Sequence, residues 1–155
     1  MANKTLYLAS PYGFSDHWKV KLLPEFVTIL ESMGVKVLEP FVRNSDVDFS
    51  MPGWANKVAS SNFRDLRDSD GLFAIVNGTP PDEGVMIEIG IAIALGKPTF
   101  LFRDDFRKCT DSDEYPLNLM IFLGIPFDSW EDYYYSSLDE IDNNNKAIYK
   151  WLRNK

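Results

Sequence analysis

Cysteine and histidine are nearly absent from this 155-residue chain, occurring once each as Cys109 and His17. A single thiol forbids an internal disulfide and points to a reducing, cytoplasmic setting, with Cys109 read as a surface thiol. One histidine and one distant cysteine cannot build a zinc site of the usual kind, so no metal is expected and His17 is placed on an exposed helix face. Positive charge is scarce too: 16 Lys and Arg stand against 23 Asp and Glu, for a net charge of −7. No basic patch collects along the chain, which argues against a nucleic-acid polymer as partner. No apolar run is long enough for a membrane span, and the polar start from Met1 to Lys4 lacks the pattern of a signal peptide. Neither G-x-x-x-x-G-K-[ST] nor G-x-G-x-x-G is present, so no ATP or dinucleotide cofactor is expected. Asp111, Asp113 and Glu114 lack the length and glycine of a calcium loop and read as a solvated acidic stretch. A small, uncharged substrate is the class left.

What the chain does contain is alternation. Lys4 to Ser10 predicts a strand, and Ser15 to Met33 a helix that Pro24 kinks or restarts. Val35 to Leu38 is a second strand, followed by a loop from Glu39 to about Pro52, long enough to suggest function. Trp54 to Arg67 predicts a helix, and the apolar run Gly71 to Val76 a strand covered on both faces. A helix from Glu83 to Leu95 and a fourth strand from Thr99 to Phe102 come next. Pro116 to Leu123 reads as a short helix, Ile125 to Phe127 as a short fifth strand, and Leu138 to Leu152 as the final helix. The tyrosines at 133–135 read as a loop and the asparagines at 143–145 as a helix surface. The whole predicts one domain, 1–155, of the α/β class: a flavodoxin-like three-layer sandwich on a five-stranded parallel sheet of order 2-1-3-4-5. Ligands of such sheets bind beyond the carboxyl ends of the strands, which directs attention to the loops after Ala9, Leu38, Val76 and Phe102.

Glu88 is the most informative residue. It interrupts a helix of small and apolar residues that includes Gly90, Ala92 and Ala94. Two readings compete, a carboxylate on the helix's exposed stripe and a buried carboxylate with a purpose, because ionised side chains are rarely buried without a partner. Tyr7 shares a strand face with Ala9, where it is either a packed core residue or a phenol that positions Glu88.

The blocks LYLASPYGF (Leu6 to Phe14), Glu39-Pro40, DSDGLFAIVNG (Asp68 to Gly78), D-x5-E-x-G-x-A-x-A-x-G-K-P (Asp82 to Pro98) and Pro116 to Met120 stand in order along the chain. Together they resemble the nucleoside 2-deoxyribosyltransferase family. The resemblance implies that Glu88 is a nucleophile, Tyr7 the phenol that orients it, and Asp82 a carboxylate that binds sugar hydroxyls. It places Phe14 in the base pocket, and Asn118 with Met120 at the site of a neighbouring subunit. A homo-oligomer, a hexamer built from dimers, is implied by the same likeness. Deoxynucleosides and free nucleobases are the implied small-molecule partners.

One position departs from the family's pattern. Asn62 stands where relatives carry an aspartate that exchanges a proton with the base, and an amide hydrogen-bonds without acting as an acid or base. Asn62 is either an exposed helix residue or a base contact that slows exchange. Two rivals to deoxyribosyl transfer stay open. One is hydrolysis of deoxynucleosides or their 5′-monophosphates; the loop Pro11 to Phe14 offers no cation for a phosphate. The other is a non-catalytic nucleoside sensor.

Overall fold

A computed structural model describes residues 4–154. Met1 to Asn3 of the polar start, and Lys155, lie outside the described residues. Five strands form one sheet: β1 (Thr5–Ala9), β2 (Lys36–Leu38), β3 (Gly71–Ile75), β4 (Thr99–Phe102) and β5 (Tyr134–Tyr135). Their order is β2-β1-β3-β4-β5 and every pairing is parallel, the expected flavodoxin-like α/β arrangement. The helices are α1 (Asp16–Lys21), α2 (Leu23–Ser32), α3 (Pro40–Arg43), α4 (Trp54–Asp68), α5 (Glu83–Ala94) and α6 (Ala147–Arg153). Among the described residues, no helix is long and apolar enough to cross a membrane.

The period-2 geometry of β1 builds the three layers. Leu6 and Leu8 pack with Leu23, Phe26, Leu30 and Ile148 on one face of the sheet. Tyr7 and Ala9 pack with Leu66, Val85, Ile89 and Ala92 on the other. All five residues of the central β3 are buried, as its unbroken apolar run requires. The chain leaves β1 toward β2 on one side and returns to β3 on the other, so a crevice opens past the carboxyl ends of β1 and β3.

Four elements differ from the sequence-based expectation. The fifth strand is Tyr134–Tyr135, inside the run read as a loop, and not Ile125 to Phe127. Pro126 has no N–H to give a ladder, whereas Tyr135 is fully buried, with its hydroxyl accepting from the Ile148 N–H at 3.0 Å. The last helix is shorter than Leu138 to Leu152, because the side-chain Oδ1 of Asn143 accepts from the Asn145 N–H at 2.9 Å and breaks the path. Of Pro116 to Leu123 only Leu119–Phe122 is helical, as a 3₁₀ turn capped by Asn118. The long loop after β2 begins with α3, whose first N–H groups Glu39 caps, accepting from Phe41 at 2.9 Å and Val42 at 2.8 Å. Pro24 occupies the first turn of α2, where its missing donor costs nothing, and the helix restarts there.

Candidate active site

A cavity of about 580 Å³ occupies the crevice. Its floor begins at Ser10, immediately after β1. The Ser10 hydroxyl accepts from the Tyr12 N–H at 3.0 Å and caps the 3₁₀ turn Pro11–Phe14, which carries Phe14 to the rim. Phe14 meets Phe41 edge-on at 5.4 Å, and Phe49 meets Trp54 at 5.1 Å. These four rings give the cavity an aromatic wall of the kind that accepts a planar heterocycle. The opposite side comes from α5. Gly84, Val85 and Glu88 fall on one helical face, and Asp82 caps the helix by accepting from the Val85 N–H at 3.1 Å.

Glu88 is half-buried, and its Oε1 accepts the phenolic proton of Tyr7 at 2.5 Å. Burial pushes the Glu88 carboxyl up to about 7, and the negative charge of Asp82 adds to the rise, while the Tyr7 bond pulls it back. Tyr7 is 1% exposed. Its burial and the neighbouring Glu88 raise its own pKa, so the phenol stays protonated and remains a donor.

Asn62 reaches the same cavity from α4, and it is not the exposed helix residue of the simpler reading. Its Oδ1 accepts from Asn44 Nδ2 at 2.9 Å. Asn44, 8% exposed, also donates through Nδ2 to the carbonyl of Pro40 at 2.8 Å.

Phe14, Asn62, Asp82 and Glu88 therefore line one cavity, with Tyr7 bonded to Glu88. Asn118 and Met120 do not. They line a second cavity of about 760 Å³, which shares no lining residue with the first and lies along Met86, Ile89, Gly90 and Ile93 of α5. Asn118 donates to Asp111 Oδ2 at 2.8 Å and accepts from the Met120 N–H at 3.0 Å. Asp111 is thus a brace for this turn and more than a solvated loop residue. Cys109 is half-buried at the same groove, not on the open surface, while His17 is exposed as expected.

Sequence reasoning missed Phe41, Asn44, Phe49 and Trp54, although the length of the loop that carries most of them was a signal. It also missed Lys19, which lines the cavity from α1 with its ammonium 5.5 Å from the Phe41 ring.

The family profile described as nucleoside 2-deoxyribosyltransferase matches residues 6–120. The nucleoside deoxyribosyltransferase of Limosilactobacillus fermentum is 29% identical over 137 residues, covering 81% of this chain and 78% of that protein. Among solved structures, the 2-deoxyribosyltransferase of Bacillus psychrosaccharolyticus is similar with a TM-score of 0.70 at 24% identity, over 96% of this chain and 95% of that one. A 2-desoxiribosyltransferase from Leishmania mexicana gives a TM-score of 0.63 at 26% identity, over 84% and 93% of the two chains. The matched stretch runs from β1 to the turn that carries Met120, and with it the chain belongs to the nucleoside 2-deoxyribosyltransferase family of enzymes.

Proposed function

We propose that the chain transfers 2-deoxyribose between nucleobases through a glycosyl ester on Glu88. The observation that carries this reading is the Tyr7–Glu88 pair at the edge of an aromatic-walled cavity, with Asp82 lining the same cavity from the N-cap of the helix that bears Glu88. Cleaving an N-glycosidic bond makes C1′ oxocarbenium-like, and a carboxylate on the face opposite the base traps it as an ester. The electron pair of the broken bond leaves with the base. A second base then attacks C1′ from the vacated face and expels Glu88, so two inversions give net retention. Tyr7 holds the Glu88 carboxylate in one orientation, and Asp82 accepts from the sugar hydroxyls. A 2′-hydroxyl would crowd Glu88 and compete for its bond to Tyr7, which favours deoxy substrates. The sequence of steps uses no metal and no cofactor.

A 2-fluoro-2-deoxynucleoside should trap the ester, leaving a covalent adduct on the peptide that contains Glu88. Mass spectrometry after proteolysis reads it. An adduct elsewhere would sink the assignment of Glu88, and none despite demonstrated binding would sink the proposal and favour a nucleoside sensor.

Hydrolysis is the second reading, favoured by Asn62, whose amide cannot take up the proton that an incoming base must lose. Deoxyinosine incubated with and without adenine separates the two outcomes, deoxyadenosine marking transfer and free deoxyribose marking hydrolysis. Lys19 is the cavity's cation, so the 5′-monophosphates belong in the same assay.

The same reading makes the active form a homo-oligomer, either a hexamer or a dimer. Asn118 and Met120, away from their own chain's cavity, then complete the site of a neighbouring copy.

A further inference from the structure

We infer that Asn44 fixes the polarity of the Asn62 amide, so that the base departs as a hydrogen-bonded anion and substrates with acidic, readily expelled bases are favoured. The inference rests on the glycosyl-transfer reading of the cavity. Its starting point is the carbonyl of Pro40, a group that can only accept. Asn44 must therefore turn its NH₂ group toward Pro40, and that same group donates to Asn62. Asn62 has to answer with its oxygen. The end of Asn62 left over is its NH₂ group, and no acceptor among the described residues takes its protons. A ligand in the cavity thus meets residue 62 as a donor with a fixed sense.

The chemistry follows from that sense. When the C1′–N bond breaks and the C1′–Oε bond to Glu88 forms, the electron pair settles on the base. An aspartic acid here could neutralise the base by giving it a proton; a carboxamide cannot. The Asn62 N–H instead stabilises the anion by hydrogen bonding, and the base takes its proton from water on release. An inverted amide would aim an oxygen lone pair at the growing negative charge. Asn44 is therefore a positioning residue, acting only through Asn62.

The test is the single-turnover rate of base release from 2′-deoxyadenosine, 2′-deoxyuridine, 2′-deoxyinosine and 5-fluoro-2′-deoxyuridine, in order of rising acidity of the free base. A fifth substrate, 7-methyl-2′-deoxyguanosine, carries a positive ring and loses a neutral base, so it needs no anion-stabilising donor. The rate should climb steeply with base acidity. Asn62→Asp should flatten that dependence and speed the least acidic leaving groups about a hundredfold. Asn44→Leu and Asn44→Ser should slow the four unmethylated substrates about tenfold, the value of one oriented hydrogen bond, and leave the methylated one unchanged. Equal slowing of all five would reduce Asn44 to a structural part and overturn the inference. A flat dependence in the unaltered chain would overturn it too. So would a Lys19→Met variant that steepens the dependence, because Lys19 would then be supplying the proton. No release from any of the five would overturn the glycosyl-transfer reading itself, and this inference with it.

Discussion

Tyr7 and Glu88 join the sheet to the helix above it: a phenol on β1 donates at 2.5 Å to a carboxylate on α5. The bond opposes the effect of burial on Glu88, so the phenol does more than aim the carboxylate. It also helps keep it ionised, the form that the proposed attack on C1′ requires.

Activity should accordingly rise with pH through about 7, the value at which Glu88 loses its proton in the free enzyme. Removing the bond with Tyr7→Phe should move this acidic limb to higher pH and lower the plateau of kcat/KM about tenfold to a hundredfold, the worth of a hydrogen bond to a charged group. A pH profile of kcat/KM for both forms checks this. An unmoved limb would detach Tyr7 from the ionisation of Glu88.

The same shift has a stability consequence of opposite sense. Glu88 binds its proton more tightly folded, near 7, than at its ordinary value of 4.5, so the folded state loses stability as pH rises between those values. Glu88→Gln removes the buried charge while its amide oxygen still accepts from Tyr7. It should stabilise the fold by about 1–3 kcal/mol at pH 8 and by nothing measurable at pH 4. Denaturant titrations at the two pH values would show the difference, and an equal effect at both would contradict the assignment.

Gly13 has no room for a side chain, since a Cβ there would overlap the ring of Phe41. Gly13→Ala should push Phe41 off its edge-on contact with Phe14 and spoil the aromatic wall, at a packing cost of about 1–3 kcal/mol. The expected kinetic result is a KM for the nucleobase raised about tenfold with kcat little changed. A fall confined to kcat would mean that Phe41 does not contact the base.

If Asn118 completes a neighbouring site, two inactive variants should rescue each other. Glu88→Gln and Asn118→Ala, each inactive alone, should regain activity when unfolded together and reassembled, because some mixed sites then hold both native residues. Light scattering would report the assembly. An assembly that forms without rescue would place the role of Asn118 within its own chain.

The α/β class and much of the cavity were legible in the chain; the strand order was not, and 2-1-3-4-5 rested on chain length. Period-2 alternation put Tyr7 on one face of β1, whereas helical spacing left Glu88 open between an exposed stripe and a buried face, and the family resemblance singled out both Glu88 and Asp82. Distance along the chain hid the rest. Asn44 bonds Asn62 across eighteen positions, and neither residue's neighbours disclose the other. The edge strand was misplaced because Ile125 to Phe127 is as apolar as a strand should be, while backbone supply at Pro126 and burial of Tyr135 decided the pairing. Lys19 lies in α1, beyond the Pro11 to Phe14 turn, and nothing in its spacing along the chain discloses that the helix brings it to the cavity.

The Pro40 carbonyl gives the cavity an unusual kind of permanence. A main-chain acceptor survives any replacement of the side chain of its residue, so drift at position 40 cannot reverse the hydrogen-bonding sense imposed on Asn44 and, through it, on Asn62. Only positions 44 and 62 are open to heritable change. On the proposed mechanism, exchanging anion departure for proton delivery would take a single substitution at 62, with Asn44 already anchored to the backbone.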